Sequence, residues 1–287
     1  MSLVVYVNGE YVAQEKARVS ILDRGFLYGD GLFETLRAYG GRVFRLKQHW
    51  ERLSRSADRL FLKLPEPLSR LKEIIEELIR RNQLSDAMVR IQVTRGEGAL
   101  GPSIREPGPA GLVVQARPLQ PLPQGWSRDG IKVTLFHSSA SRISEIHHKV
   151  KATSYLSNIL IRKLAEEQGF QEGIFLDDAG HVCEGAASNI FLVQDGILKT
   201  PPAGEFVLEG ITRQVVLEAA SELGIPFHER NLTAGDLYQA DEVFLTNTGI
   251  EVLPVNQVDG VIIGLGGPGD ITRALHRQYL KIVEAEK

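Results

Sequence analysis

Residues 146–193 read IHHKVKATSYLSNILIRKLAEEQGFQEGIFLDDAGHVCEGAASNIFLV. The fold depends on how this stretch is parsed. It opens with a short extended run carrying Lys149 and Lys151. A helix is expected over roughly Thr153 to Gln168, because Leu156, Ile159, Leu160 and Leu164 recur at helical spacing. Gly169 is a natural left-handed stop. Glu172 to Leu176 then reads as a buried strand, and Asp177-Asp178-Ala179-Gly180 as a hairpin turn. The next strand carries Cys183, Glu184 and Gly185 and leads into Ser188-Asn189-Ile190-Phe191-Leu192-Val193.

Upstream, Val4 to Tyr11 reads as a hairpin turning at Asn8-Gly9. Phe33 to Tyr39 is a strand closed by Gly40-Gly41, and Leu46 to Leu60 a helix with Arg52, Arg55 and Arg59. Leu68 to Arg81 is an amphipathic helix whose buried stripe holds Leu68, Leu71, Ile74, Ile75, Leu78 and Ile79. Met88 to Thr94 alternates as a strand, with Met88, Arg90 and Gln92 on one face. Gly96 to Pro109 is a loop by composition, and Val113 to Ala116 a strand. Downstream, Ile131 to Phe136 and Ile197 to Thr200 read as strands. Leu208 to Thr212 opens a helix ending near Gly224, and Glu242 to Leu245 is a further strand. Pro118 to Gln124, with three prolines, is the best linker. The expected organisation is α/β: a smaller α+β domain over 1–117, a linker at 118–124, and a larger α/β domain over 125–287.

The 287 residues are 43% hydrophobic and 24% charged, with a formal net charge of −3. That is an ordinary globular composition and argues against broad nucleic-acid binding. The single Cys183 rules out an internal disulfide and fits a reducing compartment. Leu3 to Tyr6 is too short for a signal peptide or membrane span, so a cytoplasmic location is the default. His147-His148 point opposite ways on an extended segment and make a poor metal site; no metal is assigned. Gly264-Leu265-Gly266-Gly267-Pro268-Gly269 fits G-x-G-x-x-G, but too little chain follows for a dinucleotide fold. It reads as a turn into the last helix, with Asp270 as N-cap.

A lysine before a helix and a carboxylate after the following hairpin suit a pyridoxal phosphate site. The amine condenses with the cofactor aldehyde, and the carboxylate keeps the ring nitrogen protonated. Nearly the whole chain resembles the class IV aminotransferases, the fold-type IV pyridoxal phosphate enzymes, which include branched-chain and D-amino-acid aminotransferases and aminodeoxychorismate lyases. The matching pieces are Asp23-Arg24-Gly25-Phe26-Leu27-Tyr28-Gly29-Asp30-Gly31-Leu32-Phe33-Glu34-Thr35, His49-Trp50-Glu51-Arg52-Leu53, Lys151, Glu184-Gly185-Ala186-Ala187-Ser188-Asn189, Gly210-Ile211-Thr212-Arg213 and Thr246-Asn247-Thr248.

The resemblance implies a larger domain built as a pseudo-barrel, a homodimer with shared active sites, and a loop at Gly96 to Pro109 that covers a site. Strand parity leaves both Lys149 and Lys151 open; the family register selects Lys151 as the Schiff-base lysine and general base. Glu184 is implied to meet the pyridine nitrogen. Arg52, Ile211, Thr212, Thr248 and Gly249 are implied to hold the phosphate, Arg52 with a fork that can pair with two oxygens. Phe33, Thr35, Met88 and Arg90 are the expected substrate residues, with Leu36 completing an apolar lining.

The activity implied is transfer of an amino group between an amino acid, branched-chain-like or D-, and a 2-oxo acid. The alternatives are an aminodeoxychorismate lyase that eliminates pyruvate, and a non-catalytic relative. Thr35 matches a position that carries threonine in lyases. The arginine-x-histidine carboxylate trap of D-amino-acid enzymes is missing from Glu97-Gly98-Ala99-Leu100-Gly101-Pro102.

Overall fold

Asn8 and Gly9 take left-handed backbone angles, φ 46° and 106°, the geometry of a two-residue hairpin turn. They join strand β1 (Val4–Val7) to β2 (Glu10–Ala13). The computed structural model describes residues 2–105, 108–137, 150–204 and 206–287. Lys149 and the His147-His148 pair lie outside the described residues. The described chain divides into two compact units. One holds residues up to Gln120 together with Val150–Ser154; the other holds the remaining residues from Pro121 to Glu286.

In the first unit, β3 (Gly31–Tyr39), β4 (Arg42–Val43), β5 (Ala87–Thr94) and β6 (Gly111–Pro118) complete an antiparallel sheet ordered β2-β1-β6-β5-β3-β4. Helices α1 (Arg24–Tyr28), α2 (Leu46–Arg59) and α3 (Leu68–Arg81) belong to the same unit. α3 buries Leu71, Ile74, Ile75, Leu78 and Ile79, the row that a helical period brings to one face. They share a core with Leu32, Leu36, Val89, Ile91 and Val93. β5 buries Val89, Ile91 and Val93 and leaves Met88, Arg90 and Gln92 half-buried, as expected from strand parity.

The sequence reading gives everything past residue 124 to the second domain. Here Val150–Ser154 packs with the first unit instead. The Phe33 amide donates to the Lys151 carbonyl at 2.9 Å, and the Thr153 amide to the Gly31 carbonyl at 2.9 Å. Ala152 pairs antiparallel with Leu32. These bonds cover the stretch of β3 edge opposite β5. They also keep Lys151–Thr153 extended, so the next helix starts at Leu156, not near Thr153.

The second unit has a nine-stranded mixed sheet. Its strands are β7 (Ile131–His137), β8 (Glu172–Leu176), β9 (Val182–Gly185), β10 (Asn189–Gln194), β11 (Ile197–Thr200), β12 (Phe227–Glu229), β13 (Glu242–Asn247), β14 (Glu251–Val258) and β15 (Val261–Ile262). They run in the order β12-β11-β10-β13-β14-β7-β8-β9, with β15 on β14. The β11/β12, β14/β7 and β7/β8 pairs are parallel. The helices are α4 (Trp126–Asp129), α5 (Leu156–Glu167), α6 (Ile211–Glu222), α7 (Ala234–Tyr238) and α8 (Asp270–Ala285).

The apolar row of α5 does not face the core: Leu156, Ile159, Leu160 and Leu164 are 66, 59, 53 and 46% exposed. The helix packs through the opposite side. Ala165 is buried, and a Cβ on Gly173 of β8 would lie 2.4 Å from the Ile161 side chain.

The G-x-G-x-x-G stretch is a turn into α8, but Asp270 is the first helical residue and not the cap. The cap comes from β13. Glu242 accepts from the Ile271 amide at 3.0 Å, the Thr272 amide at 2.7 Å and the Thr272 hydroxyl at 2.5 Å. A Cβ on Gly269 would strike the Glu242 carboxyl at 2.0 Å, so glycine is required for the carboxylate to reach the helix start. Glu242→Ala should cost about 1–2 kcal/mol, measured by denaturant unfolding.

Candidate active site

Glu34 has the strand parity of Leu32 and Leu36, so it points into the core side of β3 and is only 1% exposed. A bare carboxylate there would be very costly. α2 supplies the answer, because His49 and Arg52 are three residues apart and share a buried face. Arg52 Nε donates to Glu34 Oε1 at 2.8 Å and Nη2 to Oε2 at 2.6 Å. His49 Nδ1 lies 2.7 Å from Oε2. Burial alone would raise the Glu34 pKa, but the Arg52 charge and the bonds from His49 and Arg52 outweigh it and hold the carboxyl far below its usual range. Burial also lowers the His49 pKa, against the pull of Glu34, and an Nδ1–H tautomer donates to the Glu34 carboxylate.

The Arg52 fork expected for a phosphate is therefore engaged with Glu34 along its Nε–Nη2 edge.

The other face of β3 carries Phe33 and Thr35, beside Gln92 and Arg90 of β5 in register. The Arg90 guanidinium lies over the Phe33 ring, 3.4 Å from its centroid, and donates to Thr35 Oγ1 at 3.1 Å. Lys151 Nζ is 4.7 Å from the same centroid. The first unit thus gathers Lys151, Phe33, Thr35 and Arg90, and Met88 shares their strand face opposite Arg37. Leu36 does not join this lining. An odd step from Phe33 turns it to the core face with Glu34, where it is fully buried.

The loop after β5 is tied to α1. Arg24 donates to the carbonyls of Ala99 and Gly101 at 3.2 and 2.9 Å, and the Gly101 amide donates to the Tyr28 hydroxyl at 2.7 Å. Asp30 sits between Arg24 and Arg95, each within 2.9 Å.

In the second unit, Glu184 lies on β9. Its Oε2 accepts from the Leu208 amide at 2.8 Å and from Asn189 Nδ2 at 3.3 Å. Leu208 leads into α6, whose cap residue Gly210 offers no side-chain hydrogen bond to the first amides. Those amides belong to Ile211, Thr212 and Arg213, all buried, and an uncapped helix start favours an anion. After β13, Thr248 and Gly249 form a turn shaped by Asn247. Asn247 Oδ1 accepts from the amides of Gly249 and Ile250 at 2.8 and 2.9 Å, and its Nδ2 donates to the Ala187 carbonyl at 2.9 Å. The Gly249 amide is donated to Asn247, so Gly249 shapes the turn.

Ser188 Oγ and Thr246 Oγ1 are buried with no hydrogen-bond partner among the described residues. They sit at the same end of β10 and β13, where Asn189 pairs with Thr246. Buried hydroxyls without partners, an uncapped helix start and an oriented carboxylate fit a phosphorylated, ring-nitrogen ligand. Among the described residues, no group of three or more His, Cys, Asp or Glu is placed to hold a metal ion, and no helix is long and apolar enough to cross a membrane.

Glu34, His49, Asn189 and Asn247 stand out in the sequence only as parts of motifs. The parity of Glu34 with Leu32 and Leu36 was the one available signal that it is buried.

Residues 31–258 match the family described as Amino-transferase class IV. A putative branched-chain-amino-acid aminotransferase of Methanocaldococcus jannaschii is 41% identical, over 97% of this chain and 96% of that protein. A D-alanine aminotransferase of Staphylococcus epidermidis is 34% identical over 98% of each. The crystal structure of a branched-chain aminotransferase from the thermophilic archaeon Thermoproteus uzoniensis with norvaline superposes with a TM-score of 0.91 at 33% identity, covering 100% of this chain and 96% of that one.

Proposed function

Because the chain belongs to the class IV aminotransferases, we propose that it moves an amino group between a branched-chain-type amino acid and a 2-oxo acid with pyridoxal phosphate as cofactor. The observation that carries this reading is the grouping of Lys151 with Phe33, Thr35 and Arg90 in a chain that matches its relatives from end to end. Bound pyridoxal phosphate supplies an aldehyde for the substrate amine and a protonated ring that takes up the electrons left at Cα. Lys151 would hold the cofactor through its amine, and the same amine would serve as general base for the Cα proton. Glu184 would meet the ring nitrogen, where its charge would favour the protonated ring. Arg52, the α6 amides of Ile211 and Thr212, and Thr248 bind phosphate. Arg90 and Thr35 orient the substrate carboxylate, with Phe33 and Met88 beside the side chain.

The branched-chain choice draws on the named relatives and on the absent arginine-x-histidine pair. A homodimer is part of the proposal, because the exposed apolar row of α5 suits burial against a second copy. A cytoplasmic setting suits the free, buried Cys183.

The test is a half-reaction panel that follows the absorbance of the bound cofactor. L-Leucine and L-valine should convert it to the amine form, and aminodeoxychorismate should release no pyruvate. Reaction with D-alanine alone overturns the branched-chain choice. Pyruvate release without any amino-acid reaction overturns transamination. Sedimentation at micromolar concentration should give twice the chain mass.

A further inference from the structure

We infer that Asn189 is a positioning residue that clamps Glu184 to the start of α6, an inference resting on the cofactor reading above. Asn189 is 5% exposed, and its amide has two N–H hydrogens to place. Nδ2 donates to Glu184 Oε2 at 3.3 Å and to the Leu208 carbonyl at 2.9 Å, while the Leu208 amide donates to the same Oε2 at 2.8 Å. The three residues thus close a ring of three hydrogen bonds, in which Leu208 uses both of its backbone groups.

Rotating the Glu184 carboxylate breaks two of these bonds, and sliding the 208–210 segment also breaks two. The ring therefore admits one register. Asn189 is itself fixed from outside the ring, because it opens β10 and pairs with Thr246 of β13.

The clamp extends to the helix. A Cβ on Gly210 would lie 2.0 Å from Asn189 Oδ1, so only glycine lets the chain pass this side chain as it enters α6. One asparagine thereby sets both the plane of the Glu184 carboxylate and the place where the α6 amides begin. In the cofactor reading those groups meet opposite ends of one rigid ligand. Their spacing has to match that ligand, and Asn189 is the side chain that fixes it.

The experiment titrates apo wild type, Asn189→Ala, Asn189→Asp, Gly210→Ala and the Asn189→Ala/Gly210→Ala double variant with pyridoxal phosphate. It reads the dissociation constant and the visible circular dichroism per bound cofactor, which reports how the ring is held. Asn189→Asp is the near-isosteric change, and far-ultraviolet dichroism with a thermal midpoint for every variant restricts the comparison to folded protein. Each single change should weaken binding roughly 10- to 100-fold and alter the dichroism. Asn189→Asp should be at least as weak as Asn189→Ala, because it sets a second carboxylate against Glu184. The double variant should bind no more weakly than the worse single, since both act through one clamp. Wild-type constants and dichroism in Asn189→Ala and Asn189→Asp overturn the clamp, as do effects of Asn189→Ala and Gly210→Ala that multiply in the double variant. A wild type that does not bind the cofactor overturns the underlying reading, and the clamp with it.

Discussion

Lys151→Ala should abolish amino-group transfer and leave the protein folded. The Lys151 carbonyl accepts from the Phe33 amide, and alanine keeps that bond. The side chain adds a cation–π contact with Phe33 at 4.7 Å, worth about 0.5–1 kcal/mol at such sites. The proposed function makes it both covalent tether and proton carrier, and loss of a positioned base alone costs about 10²–10⁴-fold. The expected fall in kcat is at least about 10⁴-fold, with a thermal midpoint within a few degrees of wild type. Turnover above one-hundredth of wild type in a variant free of contaminating enzyme would refute the assignment.

Glu34→Gln should destabilise the first unit by about 3–5 kcal/mol, the usual consequence of breaking a buried ion pair from one side. The amide leaves the Arg52 charge without its counter-ion in a place that admits almost no water. It also presents an N–H₂ group to donors that need an acceptor. The sign of the pH dependence follows from the depressed carboxyl. Its folded pKa lies below the reference value of 4.5, so its stabilisation is fully present above that value. It is lost progressively as pH falls toward the folded pKa. Wild type should therefore lose stability steeply in acid, while Glu34→Gln, having lost that stabilisation already, shows a flatter acid limb. Denaturant unfolding at pH 7 and pH 4 measures both. A variant within about 1 kcal/mol of wild type at pH 7 would show that the Glu34–Arg52 pair contributes only what a solvated surface pair does.

Elements with one dominant local period were legible in the sequence. α3 buries a single helical row and β5 alternates strictly, and each is decided by neighbours a few residues away. Of the candidate site, the motifs singled out Lys151 and Phe33, and the structure sets these two side by side. What the sequence concealed depends on partners remote along the chain. The cap of α8 is Glu242, from another strand. The start of α5 is delayed because the residues before it pair with Gly31 and Phe33. The apolar row of α5 has regular helical spacing, yet that spacing cannot say whether the cover is this chain's own core. Glu34 was read within a motif, and only its pairing with Arg52 reveals why a carboxylate tolerates that location.

The excursion of Val150–Ser154 into the first unit bears on the order of events during synthesis. A ribosome that has delivered Gln120 has not yet supplied the strip that seals β3 at Gly31–Phe33. The earlier-made portion must wait, with that rim bare, until the chain has been extended past Ser154, and at about 5–20 residues per second the delay lasts seconds. A fragment truncated at Gln120 would keep the rim permanently open and be prone to sticking edge to edge. Supplying the missing strip as a separate peptide should keep such a fragment in solution.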